Sequence, residues 1–179
     1  GRVWFPGIRK GAGHAMTAFC VLLRPESRGS VRLRSSDAAD PPEIRINMYQ
    51  DQRDLETMRR AVRKMRAFFS ADPLGNMIGE ELMPGAGIAS DREIDAYNRK
   101  TSILAHHASG SCAMGQGEDA VVDPRLRVRG IEGLRVVDAS VMPRVIGGNT
   151  NAPVIMIAEK AADIIRGRPA SSSPGAAQG

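Results

Sequence analysis

The sequence predicts an α+β protein in which a partial antiparallel sheet is covered by helices. Short extended patterns occur before residue 50, amphipathic helical patterns follow them, and 42% of the residues are apolar against 25% charged. That composition is ordinary for folded proteins, and it excludes long disorder and fibrous repeats. A length of 179 residues suits one domain or parts of two.

The first elements are predicted strands. The segment 18–34 contains an apolar run, the turn-forming residues 25–29, and apolar residues that alternate with arginine. This pattern predicts two strands joined by a turn. A polar loop over 35–42 separates them from another short extended stretch at 43–49.

Two amphipathic helices are predicted next. Between Asp54 and Pro73, apolar residues recur at spacings of three and four while basic residues occupy the other side. Asp51 or Asp54 can accept hydrogen bonds from the first free amides, and Pro73 with Gly75 marks the end. After a loop rich in Gly and Pro, a second helix is predicted over 91–102.

The C-terminal third alternates loops with regular elements. The segment 106–117 is predicted to be irregular, 134–138 to be a short buried strand, and 143–151 to be a loop. The last helix is predicted over 152–166, since Pro153 suits a first helical turn and the apolar residues after it recur at helical spacing.

The two ends of the chain have distinct compositions. The sequence starts with Gly1 rather than Met, and it has no signal peptide, which predicts a piece of a longer protein. No window approaches the ~18 apolar residues that a bilayer span needs. The segment 168–179 is a mixture of small and polar residues and is predicted to be a disordered tail.

The charge balance is mildly basic, since 25 Lys and Arg against 20 Asp and Glu give +5. Part of the excess lies in one helical segment that contains Arg59, Arg60, Arg63, Lys64 and Arg66. Such a run is typical of a solvated helix face, and its alternative is a basic module for an anionic surface or nucleic acid. Because only 4% of the residues are aromatic, no nucleic-acid partner is expected.

The Cys and His content does not favour a disulfide scaffold or a metal site. Cys20 and Cys112 lie far apart without a CxxC motif, which predicts a reducing compartment, and the cytoplasm is the expected location. His106 and His107 are adjacent, and neighbours in sequence rarely converge on one ion. We therefore expect no metal.

Two common catalytic and cofactor motifs are incomplete. No serine has the flanking glycines of a nucleophile elbow. The glycine pairs at 11–13 and 85–87 do not continue to a third glycine, so the dinucleotide fingerprint is absent.

Longer blocks carry a family resemblance. They are LLRPESRGSVRLRSSDAADPP, then HHASGSCAMG followed by VVDPRLRVRGIEGLRVVDASVMP, and finally GGNTNAPVIMIAEKAADIIRG. Over 22–167 the sequence resembles the C-terminal part of the glucose-methanol-choline oxidoreductases, near their choline dehydrogenase-like branch. The resemblance implies an FAD-dependent enzyme that transfers hydride from an alcohol carbon to flavin N5.

The resemblance also implies a domain organisation. Residues 1–103 would be mostly substrate-binding domain with the partial antiparallel sheet, and 104–167 would complete an FAD-binding α/β domain and carry the active-site loop. The family's flavin fingerprint lies in an N-terminal part that this chain does not contain. That part is the implied partner, and the chain by itself is expected to be inactive.

The resemblance places the catalytic histidine at His107, with His106 as the alternative. A neutral imidazole, whose ordinary pKa is about 6.5, can take a hydroxyl proton near neutral pH. Asn151 corresponds to the second active-site position, where an amide donates a hydrogen bond to the alcohol oxygen as negative charge develops. Without the resemblance, Asn151 is equally typical of a helix N-cap or a turn.

FAD contacts are implied around the last strand and the last helix. Backbone amides after the strand could approach the ribityl or pyrophosphate part, and the start of the helix would point its free amides at the flavin pyrimidine ring. For the carboxylate at position 138, a solvated strand end is the alternative. The implied cofactor-binding residues are Asp138, Ala139, Asn149, Thr150, Asn151 and Pro153.

Overall fold

The computed structural model describes residues 14–168. Its elements run in the order β1, β2, α1, a 3₁₀ turn, α2, a second 3₁₀ turn and α3. Their bounds are Ser30–Arg32, Glu43–Arg45, Gln52–Ser70, Leu74–Asn76, Asp91–Thr101, Ala139–Val141 and Asn151–Ile165. The few helices and the small antiparallel sheet agree with the predicted α+β class. Most of the predicted tail lies outside the described residues.

The sheet consists of β1 and β2, which are antiparallel with Val31 opposite Ile44. The predicted hairpin over 18–34 is therefore wrong, because the strand at Ser30 pairs forward in sequence. The backbone before Ser30 makes other hydrogen bonds, since the N–H groups of Glu26 and Ser27 donate to the Asp54 carboxylate. The pairing of β1 with β2 requires a residue without a side chain at position 29, because a Cβ on Gly29 would lie 2.3 Å from the Arg45 carbonyl oxygen.

Helix α1 begins and packs as the sequence predicts. The Asp51 side chain caps it by accepting from the Arg53 N–H, and the apolar side buries Leu55, Met58 and Val62. At the C-terminal end the same face is open, and Phe68 is 60% exposed. The helix is therefore anchored at its first half.

Asp54 ties the segment before β1 to the first turn of α1. Its side chain is 2% exposed, and its oxygens accept from the N–H groups of Glu26 and Ser27 at 2.8 Å each. Burial raises the pKa of Asp54, but the hydrogen bonds from Glu26 and Ser27 outweigh it and hold the pKa below its ordinary value. This contribution to stability is complete above the pKa of an unfolded Asp, about 3.9, and is lost as the pH falls through the folded-state pKa.

Helix α2 starts with a reciprocal cap between Ser90 and Glu93 and buries Ile94. Its acidic side faces the basic side of α1. Arg59 lies 2.6 Å from an Asp91 oxygen and 3.0 Å from an Asp95 oxygen. Arg63 also pairs with Asp91. The run of basic residues on α1 is thus partly neutralised within the fold.

The segment between α2 and α3 packs as irregular chain around one apolar cluster of Val122, Leu126, Val141 and Ala161. The strand predicted over 134–138 is wrong: among the described residues this segment has a single bridge, from Arg135 to Arg127. Leu126, whose carbonyl accepts from the Val136 N–H, has a φ of 63°, which lies outside the extended region of a strand. Within residues 14–168, no helix has the length and apolar character needed to cross a membrane.

We predict that Asp54→Ala destabilises the start of α1 by about 3 kcal/mol, because the partly buried N–H groups of Glu26 and Ser27 lose their acceptor. Hydrogen exchange of peptides covering 25–30 and 52–60, measured by mass spectrometry in the whole protein, reports this local opening. Glu56→Ala, at an exposed position of the same turn, is the matched control and should change protection by about 0.5 kcal/mol or less. Equal protection in the two variants would contradict the anchoring role of Asp54.

Candidate active site

The loop that carries the two adjacent histidines follows α2 and is irregular, as predicted. Its second half is fixed against the second 3₁₀ turn, because the N–H groups of Cys112 and Met114 donate to the carbonyls of Ser140 and Val141 at 3.0 and 2.9 Å. Gly110 makes the close approach possible. Its φ is +86°, and a Cβ there would lie 3.3 Å from the Met142 carbonyl oxygen.

The apolar cluster under this loop also fixes the start of α3. Val122 and Val141 are fully buried, and Ala161 joins them from α3. Met114 of the loop and Ile157 of α3 pack against the same cluster. Loop, 3₁₀ turn and helix therefore share one core, which sets the distance between the histidine loop and the residues before α3.

His107 is held at both ring nitrogens by residues that precede α3. Its Nδ1 lies 2.9 Å from Thr150 Oγ1, and its Nε2 lies 3.2 Å from Asn149 Oδ1. The ring is partly buried. His106 is exposed and has a positive φ of 59°. Of the two candidate histidines, His107 is the one that the fold joins to the segment 149–151.

The three side chains bring together groups suited to proton transfer. An imidazole accepts a proton at one nitrogen while the other carries its hydrogen, a carboxamide both donates and accepts, and a hydroxyl does the same. As the atoms stand, Nε2–H donates to Asn149 Oδ1 and the Thr150 hydroxyl donates to Nδ1. A half-turn of the amide would present its N–H₂ group instead.

The carboxamide that contacts His107 belongs to Asn149, although the sequence suggested Asn151 for that position. Asn151 is the first residue of α3 and is exposed, and its side chain has no hydrogen bond to a described residue. Asn149 was expected to contact the cofactor. The repeated Asn-Thr-Asn pattern offers two candidates, and only the turn before α3 decides which one faces the histidine.

The N-terminus of α3 leaves its first amides free among the described residues. Thr150 occupies the cap position, yet its side chain makes no capping bond. No described group accepts from the N–H of Asn151 or Ala152, and Pro153 has no N–H. The positive end of the helix dipole is therefore available to an electron-rich group.

Asp138 and Ala139 begin the second 3₁₀ turn. The Asp138 carboxylate caps this turn by accepting from the Ser140 N–H at 2.7 Å. Within the described chain, the N–H groups of Asp138 and Ala139 have no acceptor. Their backbone, rather than the Asp138 side chain, is the part that a ligand could engage.

Metal-binding and thiol groups contribute nothing to this arrangement. In the part of the chain that the structure describes, no three His, Cys, Asp or Glu side chains are grouped to hold a metal ion. Cys20 and Cys112 are free thiols, and burial raises the pKa of Cys20. The glycine pair at 11–13 lies outside the described residues.

Comparison with known proteins gives one consistent result. The sequence model of the GMC oxidoreductase family matches residues 25–158. Mitochondrial choline dehydrogenase of Homo sapiens is 50% identical over 150 residues, which are 83% of this chain and 25% of that protein. Oxygen-dependent choline dehydrogenase of Paraburkholderia phymatum is 48% identical over 155 residues, 87% of this chain and 27% of that protein. The chain thus spans about a quarter of these relatives.

Two solved structures of similar fold are oxidases. Pyridoxine 4-oxidase from Mesorbium loti has a TM-score of 0.75 at 37% identity, over 83% of this chain and 29% of that one. A fungal aryl-alcohol oxidase has a TM-score of 0.73 at 37% identity, over 80% of this chain and 24% of that one. The described fold is therefore similar to one part of much longer chains.

We predict that Gly110→Ala loosens the histidine loop more than the same change at another left-handed glycine. Gly130, with φ +78° and open space around its Cβ position, is the matched control and loses about 1 kcal/mol from backbone strain alone. At Gly110 the contact with the Met142 carbonyl adds to that strain. Hydrogen exchange of the segments 104–116 and 126–136 in the whole protein measures both losses, and equal losses would be inconsistent with the close approach.

Proposed function

Since this chain belongs to the GMC oxidoreductase family, we propose that it forms the C-terminal part of an FAD-dependent alcohol oxidoreductase. The observation that carries the proposal is the contact of His107 with both Asn149 and Thr150. It supplies a base and a hydrogen-bonding amide at one point, which is what alcohol oxidation requires of a protein.

In this proposal His107 is the general base. Loss of hydride from an alcohol carbon is easier once the hydroxyl proton has left or is leaving, and a neutral imidazole can receive that proton. Nε2 is the reactive nitrogen, because Nδ1 is held by the buried Thr150. Among the described residues, His106 makes no hydrogen bond to the segment before α3. It is therefore not assigned a role.

Asn149 is the proposed hydrogen-bond partner of the alcohol oxygen. Its amide lies 3.2 Å from Nε2, so an alcohol oxygen that replaces this direct contact could give its proton to the ring and accept from the amide N–H₂. The second bond strengthens as negative charge grows on the oxygen, which favours the transition state over the ground state. Asn151, the residue implied by the sequence, remains a candidate for cofactor contact through its backbone.

The free backbone donors of the chain fit FAD. The N–H groups of Asn151 and Ala152 lie at the positive end of α3 and suit an electron-rich carbonyl. Those of Asp138 and Ala139 suit the ribityl or pyrophosphate part. Asn149, Thr150 and Pro153 complete the predicted cofactor-binding set: Thr150 and Pro153 lie at the start of α3, and Asn149 directly precedes them. When bound, FAD would accept at N5 the hydride that leaves the alcohol carbon.

The exposed apolar surface of α3 favours a partner domain that covers it. Ala161 faces the core, yet Ile155, Met156 and Ile165 on the same helix are 55%, 60% and 59% exposed. A helix that is apolar on several sides is normally buried on several sides. We propose that 104–167 completes an FAD-binding domain whose N-terminal part covers this surface, and that 1–103 belongs mostly to the substrate domain.

The alternative of a basic binding module loses its main support in the structure. Arg59 and Arg63 pair with carboxylates of α2, and Arg66 lies 3.1 Å from Glu81. Ion-paired arginines offer little net positive charge to an anionic surface. A scaffold without catalysis is the other alternative, and the following test separates it from the enzyme.

We predict that His107→Ala lowers the rate constant of flavin reduction by about 10²–10⁴-fold in the whole protein, because the alcohol loses its base. Anaerobic stopped flow measures this, with whichever of choline, pyridoxine or an aryl alcohol reduces the wild type fastest. His106→Ala is the matched control and should stay near the wild-type rate. Reduction of the His107 variant at the wild-type rate would refute the base assignment, and no reduction of the wild type would favour the scaffold.

We predict that the two asparagines differ in the same assay. Asn149→Ala should lower the rate constant of flavin reduction by about 10²-fold, since one donor to the developing alkoxide is lost. Asn151→Ala keeps the backbone amide and should change the rate constant by less than about 5-fold, within the range of an indirect effect. The reverse order of the two effects would return the role to Asn151.

A further inference from the structure

We propose that Thr150 is a positioning residue for His107, and that its hydroxyl fixes the orientation of the ring in either of its protonation patterns. This inference rests on the proposed function of His107. It assigns a residue to a task that the sequence did not suggest, since Thr150 was expected only as a cofactor contact.

The position of Thr150 in the fold makes its bond to His107 unusual. Thr is among the residues that commonly cap a helix, with the side-chain oxygen accepting from an amide of the first turn. Thr150 sits at the cap of α3 and caps nothing. Its hydroxyl instead lies 2.9 Å from Nδ1 of a residue that is 43 positions away in sequence.

Because Thr150 is buried, its hydroxyl depends on Nδ1 of His107 as a hydrogen-bond partner. Thr150 is 8% exposed, and a buried hydroxyl needs a hydrogen-bond partner. Its backbone is fixed as well, because its carbonyl accepts from the Val154 N–H at 3.0 Å. The hydroxyl is thus presented to His107 from a rigid helix end, and contacts at both Nδ1 and Nε2 leave the ring little freedom to rotate.

A hydroxyl is suited to both protonation patterns of the ring. When Nε2–H donates to Asn149, the Thr150 O–H donates to Nδ1. When Nε2 must accept a proton, Nδ1 carries the hydrogen, and Thr150 Oγ1 accepts from it. In the proton-transfer step the alcohol O–H bond breaks and an Nε2–H bond forms, which leaves an alkoxide and an imidazolium whose Nδ1–H still donates to Thr150. A methyl group in place of the hydroxyl supports neither pattern.

The test combines five variants of the whole FAD-loaded protein, among them His107→Ala alone and together with Thr150→Val. Thr150→Val should lower the rate constant of flavin reduction by about 10²-fold, the size typical of a misplaced catalytic group. Thr150→Ser should recover most of it, since the hydroxyl returns. In the His107→Ala background, Thr150→Val should have no further effect, because the base it positions is gone. Thr101→Val, which removes a hydroxyl bonded inside α2, is the control and should leave the rate constant unchanged.

A crystal structure of Thr150→Val supplies a readout that does not depend on activity. We expect His107 Nε2 to move out of hydrogen-bond distance of Asn149 while α3 keeps its position. If the valine variant does not fold, Thr150→Ala is compared with Thr150→Ser on the same two measurements.

The outcomes separate this inference from the function on which it rests. A normal rate constant in His107→Ala ends both. A slow His107→Ala with a normal Thr150→Val overturns the positioning role alone. A loss in Thr150→Val that persists undiminished without His107, or that serine does not restore, assigns Thr150 a purely structural role and also overturns it.

Discussion

The burial of Val122, Val141 and Ala161 in one cluster is the constraint on which the site depends. Met114 of the histidine loop, Val141 of the second 3₁₀ turn and Ala161 of α3 meet in this cluster, and each of these three elements carries one part of the site. Because interiors are close-packed, the cluster tolerates only one relative placement of loop, 3₁₀ turn and helix. The hydrogen bonds from Cys112 and Met114 to the 3₁₀ turn lock the loop to it. The contact of His107 with Asn149 and Thr150 is a consequence of this packing.

The other half of the chain is held by polar interactions rather than by a large core. Asp54 fastens the segment before β1, and the acidic side of α2 faces the arginines of α1. Exposed ion pairs stabilise a fold only weakly, whereas a buried carboxylate with two backbone donors is costly to disrupt. The apolar residues that remain open there, such as Phe68 and Leu33, are consistent with further protein that covers this part in the whole molecule.

The sequence predicted what depends on local pattern and missed what depends on tertiary register. Helices α2 and α3 were predicted to within one residue and α1 to within about three, because their apolar spacing and caps are local properties. The pairing of β1 with β2 was not predicted. No local pattern indicates that the N–H groups of Glu26 and Ser27 donate to Asp54 instead of joining a hairpin. The resemblance favoured His107 over His106 as the catalytic residue, and that role stays a prediction. Which asparagine contacts His107 could not be predicted, because two asparagines separated by one residue differ only in the direction given by the turn before α3.

The helix end at Thr150 joins the two chemical tasks proposed for this chain. The Thr150 hydroxyl contacts Nδ1 of His107 and accepts no capping bond from the first turn of α3. The first amides of α3 therefore stay uncapped, and because Pro153 has no N–H, the free donors reduce to those of Asn151 and Ala152. An electron-rich ligand can satisfy them at the positive end of the helix. In the proposed function, the orientation of this one side chain positions the base and leaves free amides beside it for the cofactor.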